Sequence, residues 1–253
     1  MLNNLIKEKK SFLCVGLDPI PKLIGNQTPL NFCLSIINST IDYAVAYKLN
    51  AAFFEYCGLD TNVIAEYAKR RGAYVIIDGK RGDIGNSSEA YAKACFEKMD
   101  ADAVTVSPYM GYDSVQPFLE YENKTTIILG LTSNEGANDF QMLKLENGKR
   151  LYEHVIETSL SWERYSDLMF VVGATRINEL KNIRKIAPNH FLLIPGVGTQ
   201  GGSLQEVIDN GMNNDIGLLI NASRSIIYSD NPAKEANKIQ ELMSKYIWFI
   251  NIS

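Results

Sequence analysis

The chain has 253 residues, 46% hydrophobic and 21% charged, enough apolar material for a sizeable core and within the size at which an α/β barrel forms one domain. A net charge of −4 without a basic tail or Lys/Arg-rich stripe argues against a nucleic-acid partner. A polar N-terminus and the lack of a long apolar run argue against a membrane span, so a cytoplasmic protein is the expectation.

Short apolar runs alternate with longer amphipathic stretches from end to end. Strands are predicted over 12–17, 44–49, 73–77, 103–106, 126–129, 169–172, 191–194 and 217–220. Nearly all are four to six mostly apolar residues, the pattern of parallel strands buried on both faces. Between them, 61–71 carries Ile64, Tyr67 and Ala68 at helical spacing, and 88–98 carries Ala90, Tyr91, Ala94 and Cys95. A further helix is predicted over 232–246, opened by Asp230-Asn231 with Pro232 at its start. Eight such βα units predict a TIM (β/α)8 barrel spanning 1–253 as one domain; a doubly wound open sheet is the competing architecture. The two longest gaps between strands, 18–43 and 130–168, are expected to hold extra loop or helix. The cysteines, Cys14, Cys33, Cys57 and Cys95, show no CxxC or Cys/His cluster, so neither structural zinc nor a disulfide framework is expected.

In a barrel, chemistry sits at the C-terminal ends of the strands. The richest of these ends is Asp78-Gly79-Lys80-Arg81-Gly82-Asp83, which follows the apolar run Tyr74-Val75-Ile76-Ile77. Residues two apart in a strand share a side, so Asp78 and Lys80 are expected to project together, and Gly82 allows a turn that brings Asp83 near. A lysine between carboxylates keeps its proton. Lys48 ends the second strand; it is either a snorkelling side chain or a member of the same rim. Asp18 is either a turn residue before Pro19 or an acceptor for sugar hydroxyls. Ser133 and Asn134 are helix-capping residues or polar groups facing a ring. His154 and His190 have no evident partners and read as structural or surface residues.

The glycine-rich run Pro195-Gly196-Val197-Gly198-Thr199-Gln200-Gly201-Gly202 contains a literal GxGxxG after a strand, but the next strand ends in Asn221 rather than the acid a dinucleotide site needs. Loops after the seventh and eighth barrel strands commonly bind phosphate, and Arg224 adds a guanidinium fork. Phosphate binding is therefore expected here, against the plain reading of a tight turn and a surface arginine.

These motifs resemble those of the orotidine 5′-phosphate decarboxylase family, which carries Asp-x-Lys-x-x-Asp after its third barrel strand. Val15-Gly16-Leu17-Asp18-Pro19, Lys48-Leu49-Asn50, Val172-Gly173-Ala174-Thr175-Arg176, the glycine-rich run and Ser223-Arg224-Ser225-Ile226-Ile227-Tyr228 fall in the family's order. The resemblance implies a charged tetrad of Lys48, Asp78, Lys80 and Asp83, with Lys80 the proton donor. It implies a homodimer in which Asp83, Ile84 and Ser87 reach the partner's site. Asp18 and Asn50 take the ribose side, Ser133 the pyrimidine, and Gln200, Gly201, Gly202, Ser223 and Arg224 the phosphate. No cofactor or metal is implied. Departures are Gly79 for a larger residue, Ala222 for a common glycine and Ser87 for threonine. Two other outcomes stay open: a related Mg²⁺-dependent sugar-phosphate decarboxylase or isomerase, and a catalytically silent nucleotide-phosphate sensor. The first needs a carboxylate where this chain has Lys48.

Overall fold

A computed structural model describes residues 1–197 and 202–247. Eight strands form a closed parallel barrel in the order β1 to β8: Leu13–Leu17, Ala46–Asn50, Tyr74–Arg81, Ala103–Val106, Thr125–Leu131, Asp167–Val172, Phe191–Pro195 and Leu218–Ala222. The closed sheet settles the choice against the open, doubly wound alternative. Every predicted strand is present. The main difference is β3, which runs on through Asp78-Gly79-Lys80-Arg81 instead of stopping at Ile77. It continues because its polar end still finds partners: Lys80 N–H donates to Thr105 Oγ1 at 2.9 Å, and Arg81 C=O accepts from Ser107 N–H at 2.7 Å.

The helices are α1 Leu2–Lys9, α2 Pro29–Thr40, α3 Ala51–Cys57, α4 Thr61–Lys69, α5 Gly85–Lys93, α6 Tyr112–Leu119, α7 Leu151–Leu160, α8 Ile177–Ile186, α9 Leu204–Gly211, α10 Arg224–Ile227 and α11 Pro232–Ile247. Their starts follow side-chain chemistry. Thr28, Asn50, Asp60 and Ser203 each accept a backbone N–H of the first turn, capping α2, α3, α4 and α9. The helix predicted over 88–98 begins earlier, as α5, and widens over Ala94–Lys98 into a π-turn in which Met99 N–H bonds to Ala94 C=O. The long gap 130–168 holds a 3₁₀ turn at Glu135–Asn138 before α7.

The chain clusters into two compact units, Met1–Gly79 with Lys93–Val104 and Ile220–Ser253, and Lys80–Ala92 with Thr105–Leu219. In the first, Phe12, Leu17, Tyr47, Leu49, Phe54, Ile64 and Ile76 are fully buried. In the second, Phe118, Ile127, Phe170, Leu180, Ile183 and Leu193 are.

The second unit also contains a polar staple that the apolar pattern hides. Arg184, on α8, donates to five carbonyls: Gly211, Ala187, Pro188, His190 and Gly217, at 2.7 to 3.3 Å. Burial lowers its pKa to about 10, so it remains a cation at neutral pH. His190 packs edge-on against Phe170 at 6.0 Å; burial, with Arg164 and Arg184 adding to it, lowers its pKa. It precedes β7, at the end opposite a barrel's catalytic rim. Ala187, Pro188 and Gly217 keep a second donor, from His190 N–H, Asn213 Nδ2 and Leu192 N–H, so Arg184→Ala chiefly deprives the Gly211 and His190 carbonyls and is expected to cost about 3 kcal/mol, a fall of roughly 6–12 °C in Tm. Thermal unfolding checks this, and an unchanged Tm would show the staple to be idle.

Candidate active site

In the first unit, register and alternation place several polar side chains on one face. Gly16 pairs with Lys48, Lys48 with Ile76, and Asn50 with Asp78. Alternate residues share a face, so Gly16, Lys48, Asn50 and Asp78 form one patch near the strand ends. Lys48 Nζ lies 2.7 Å from Asp78 Oδ2. The two residues are 5% and 8% exposed, which removes the reading of Lys48 as a snorkelling side chain. Burial by itself pulls the Lys48 pKa down, but the Asp78 and Asp18 carboxylates reverse that and the net direction is upward. Its ammonium is therefore fixed. Such a pair is poor value for stability, because desolvation offsets most of the Coulomb gain, and its presence at a strand end points to chemistry. Cys14, beside it, is pushed up to about 12 by burial and stays a thiol.

Asp18 follows β1, and its Oδ1 is buried with no hydrogen-bond partner among the described residues. Asn50 ends β2 and its Oδ1 accepts from Ala52 N–H at 3.3 Å, so it caps α3 as well as flanking Asp78. Ser223 and Arg224 follow β8, and Arg224, exposed, opens α10. Asn221, on β8, is a site residue that the sequence did not single out. It is 6% exposed, its Oδ1 has no partner, and its Nδ2 donates to Ser223 Oγ at 3.4 Å. A Cβ at Gly16 would stand 1.9 Å from Ser223 Oγ and 3.1 Å from Asn221 Oδ1. Gly16→Ala is therefore expected to displace Ser223, at about 1–3 kcal/mol and roughly 3–10 °C of Tm. Adding Ser223→Gly should recover part of the loss; no loss, or no recovery in the double variant, would show that this contact is slack.

The second unit carries Lys80, Asp83, Ile84, Ser87 and Ser133. Lys80 has φ of 45°, in the left-handed region that a side chain rarely adopts. The two-residue period that puts Asp78 and Lys80 on one side assumes extended backbone at both, so at Lys80 that expectation does not set the side chain's direction. Strain of this kind costs roughly 1–3 kcal/mol and collects where function requires it. Asp83 Oδ1 accepts from the N–H of Ile84, whose apolar side chain is 59% exposed; Ser87 is exposed on α5. Ser133 lies in the loop after β5, pressed against Gly173, where a Cβ would come within 2.7 Å of the serine Cβ. Gly202 bridges to Val197 and lies against Ala174. Gln200 and Gly201 lie outside the described residues.

A family model described as "Orotidine 5'-phosphate decarboxylase / HUMPS family" matches residues 11–239. The chain belongs to this family. Relatives named orotidine 5′-phosphate decarboxylase include one from Christiangramia forsetii, 53% identical over 93% of this chain and 90% of its own. Another, from Flavobacterium johnsoniae, is 50% identical over 97% of both chains. Among solved structures, the OMP decarboxylase of Leishmania donovani matches with a TM-score of 0.87 and 38% identity over 98% of both chains. Within the orotidine 5′-phosphate decarboxylase family, this chain's Lys48–Asp78 pair and Lys80 occupy consecutive barrel strands, β2 and β3.

Proposed function

We propose that this protein converts orotidine 5′-phosphate to uridine 5′-phosphate and CO₂ in pyrimidine nucleotide synthesis, without a cofactor. The observation that carries the reading is the buried Lys48–Asp78 pair on strands β2 and β3, with Lys80 two residues further along β3. Cleavage of the bond from ring carbon 6 to the carboxylate releases CO₂ and leaves the electron pair on that carbon. The Lys80 ammonium stabilises this charge and then donates its proton to the carbon; the resulting amine regains a proton from solvent. Asp78 lies by the substrate carboxylate and, with Lys48, sets the field in which Lys80 acts. Asp18 takes the ribose hydroxyls with Asn50 beside them, Ser133 the pyrimidine edge, and Gly202, Ser223 and Arg224 the phosphate, for which the family resemblance adds Gln200 and Gly201. Phosphate binding far from carbon 6 drives closure of the loop after β5, so remote binding energy serves the chemical step.

The working form in this reading is a cytoplasmic homodimer in which Asp83, Ile84 and Ser87 complete the partner's site. The exposed apolar side chain of Ile84 supports a covering surface there. Lys48 counts against the Mg²⁺-dependent relatives, since a fixed ammonium repels a divalent ion.

The deciding experiment follows uridine 5′-phosphate formation from orotidine 5′-phosphate by purified protein in excess EDTA. Full activity in chelator is the expected result. Lack of product overturns the reading in favour of a silent nucleotide-phosphate sensor, and activity lost to EDTA and restored by Mg²⁺ overturns its metal-free part.

A further inference from the structure

Tyr228 joins two parts of the first unit that lie far apart in sequence. It closes the short helix α10 that Arg224 opens, its N–H bonding to Arg224 C=O at 3.3 Å. Its hydroxyl makes two hydrogen bonds to the chain just after β1. It donates to Asp18 C=O at 2.6 Å and accepts from Ile20 N–H at 2.7 Å. These bonds clamp the peptide units on both sides of Pro19, whose own carbonyl lies 3.6 Å from Cys57 Sγ. The ring stacks on Phe32 of α2, with centroids 5.6 Å apart and planes at 15°. Burial raises the Tyr228 pKa, so the hydroxyl keeps the proton it donates. Beside the clamped peptides, the Asp18 carboxylate keeps a buried oxygen, Oδ1, without a hydrogen-bond partner among the described residues. A buried acceptor of this kind is costly unless a ligand supplies the donor.

We propose that Tyr228 is a positioning residue that sets the Asp18 carboxylate for the sugar hydroxyls and ties it to the phosphate helix headed by Arg224. The inference rests on the reading of Asp18 as the ribose ligand and Arg224 as the phosphate ligand. The ring alone does not account for the arrangement, because stacking on Phe32 needs no hydroxyl. Both hydroxyl bonds go to main-chain atoms on either side of Pro19, one of them the carbonyl of Asp18 itself.

The test is a double-mutant cycle on binding of uridine 5′-phosphate, measured by calorimetry. Tyr228→Phe keeps the stack and removes only the hydroxyl. It is expected to fold, with an unchanged near-ultraviolet circular dichroism spectrum, and to bind about tenfold more weakly. In an Asp18→Ala background the same change should cost nothing further, because the group it positions is gone. An equal loss in both backgrounds, or no loss in either, overturns the positioning role while Asp18→Ala alone still weakens binding. If Asp18→Ala leaves affinity unchanged, the ribose reading fails, and this inference fails with it.

Discussion

Lys80→Ala is expected to reduce uridine 5′-phosphate formation by at least about four orders of magnitude, roughly 5 kcal/mol in activation free energy. The size follows from asking one side chain to do two things. Loss of CO₂ leaves a carbon anion with little delocalisation, so most of its stabilisation comes from a positive charge held nearby. Removing a single neutral oxyanion donor costs about 10²–10³ in rate, and a full charge in a desolvated site acts more strongly. In the proposed reaction the same ammonium is also the proton donor, and general-acid catalysis contributes about 10²–10⁴. Nucleotide affinity, measured by calorimetry, should change by less than about tenfold, because ribose and phosphate contacts come from other strands. Near-normal turnover in the variant would remove the mechanism. The proposed sharing of the site between subunits adds a second readout. Neither Lys80→Ala nor Asp83→Ala dimers should turn over substrate, but an equal mixture should regain about one quarter of native activity. Half of the dimers are then hybrids, each with one intact site. No recovery in demonstrated hybrids argues against partner residues in the site.

Arg224→Ala is expected to weaken uridine 5′-phosphate binding by about 100-fold, near 3 kcal/mol, and to leave uridine binding unchanged. A guanidinium offers two parallel N–H donors to a phosphate, and such charge-assisted bonds are about twice as strong as neutral ones. Arg224 stands, exposed, at the start of α10. The loss should reach kcat as well as KM, because binding energy at the phosphate supports loop closure over the base. Lysine at this position should recover only part of the affinity, since it supplies charge without the fork. Calorimetry with nucleotide and nucleoside decides; equal losses for both would refute the phosphate assignment.

Different levels of the site were legible at different distances. The signature that ends β3, the lysine within β2 and the arginine after β8 stand beside apolar runs, so their places toward the strand ends could be read directly. Tyr228 carried a weaker signal, four residues after Arg224 and thus on the same side of one helical turn. Its bond to Asp18 spans 210 residues, and no local pattern encodes that. Asn221 looked like the end of an apolar strand, and only its unpaired, buried oxygen marks it as polar machinery. The two-residue period that pairs Asp78 with Lys80 presumes extended backbone, and at Lys80, where φ is 45°, it does not by itself set the side chain's direction. Alternation describes extended chain, and a residue held in the left-handed region by neighbouring contacts escapes it.

By itself, the order of apolar and polar residues determined the eight strands and three of the helices, because burial on both faces is a local demand that each short run either meets or does not, and it favoured the barrel that the closed sheet then settled. Tertiary structure decided the rest. The 2.7 Å contact of Lys48 with Asp78, the five carbonyls gathered by Arg184 and the Tyr228 clamp each join groups from separate elements. Such contacts depend on the register of strands and the packing of helices against them, and a polar side chain reads the same in sequence whether water or a buried partner satisfies it.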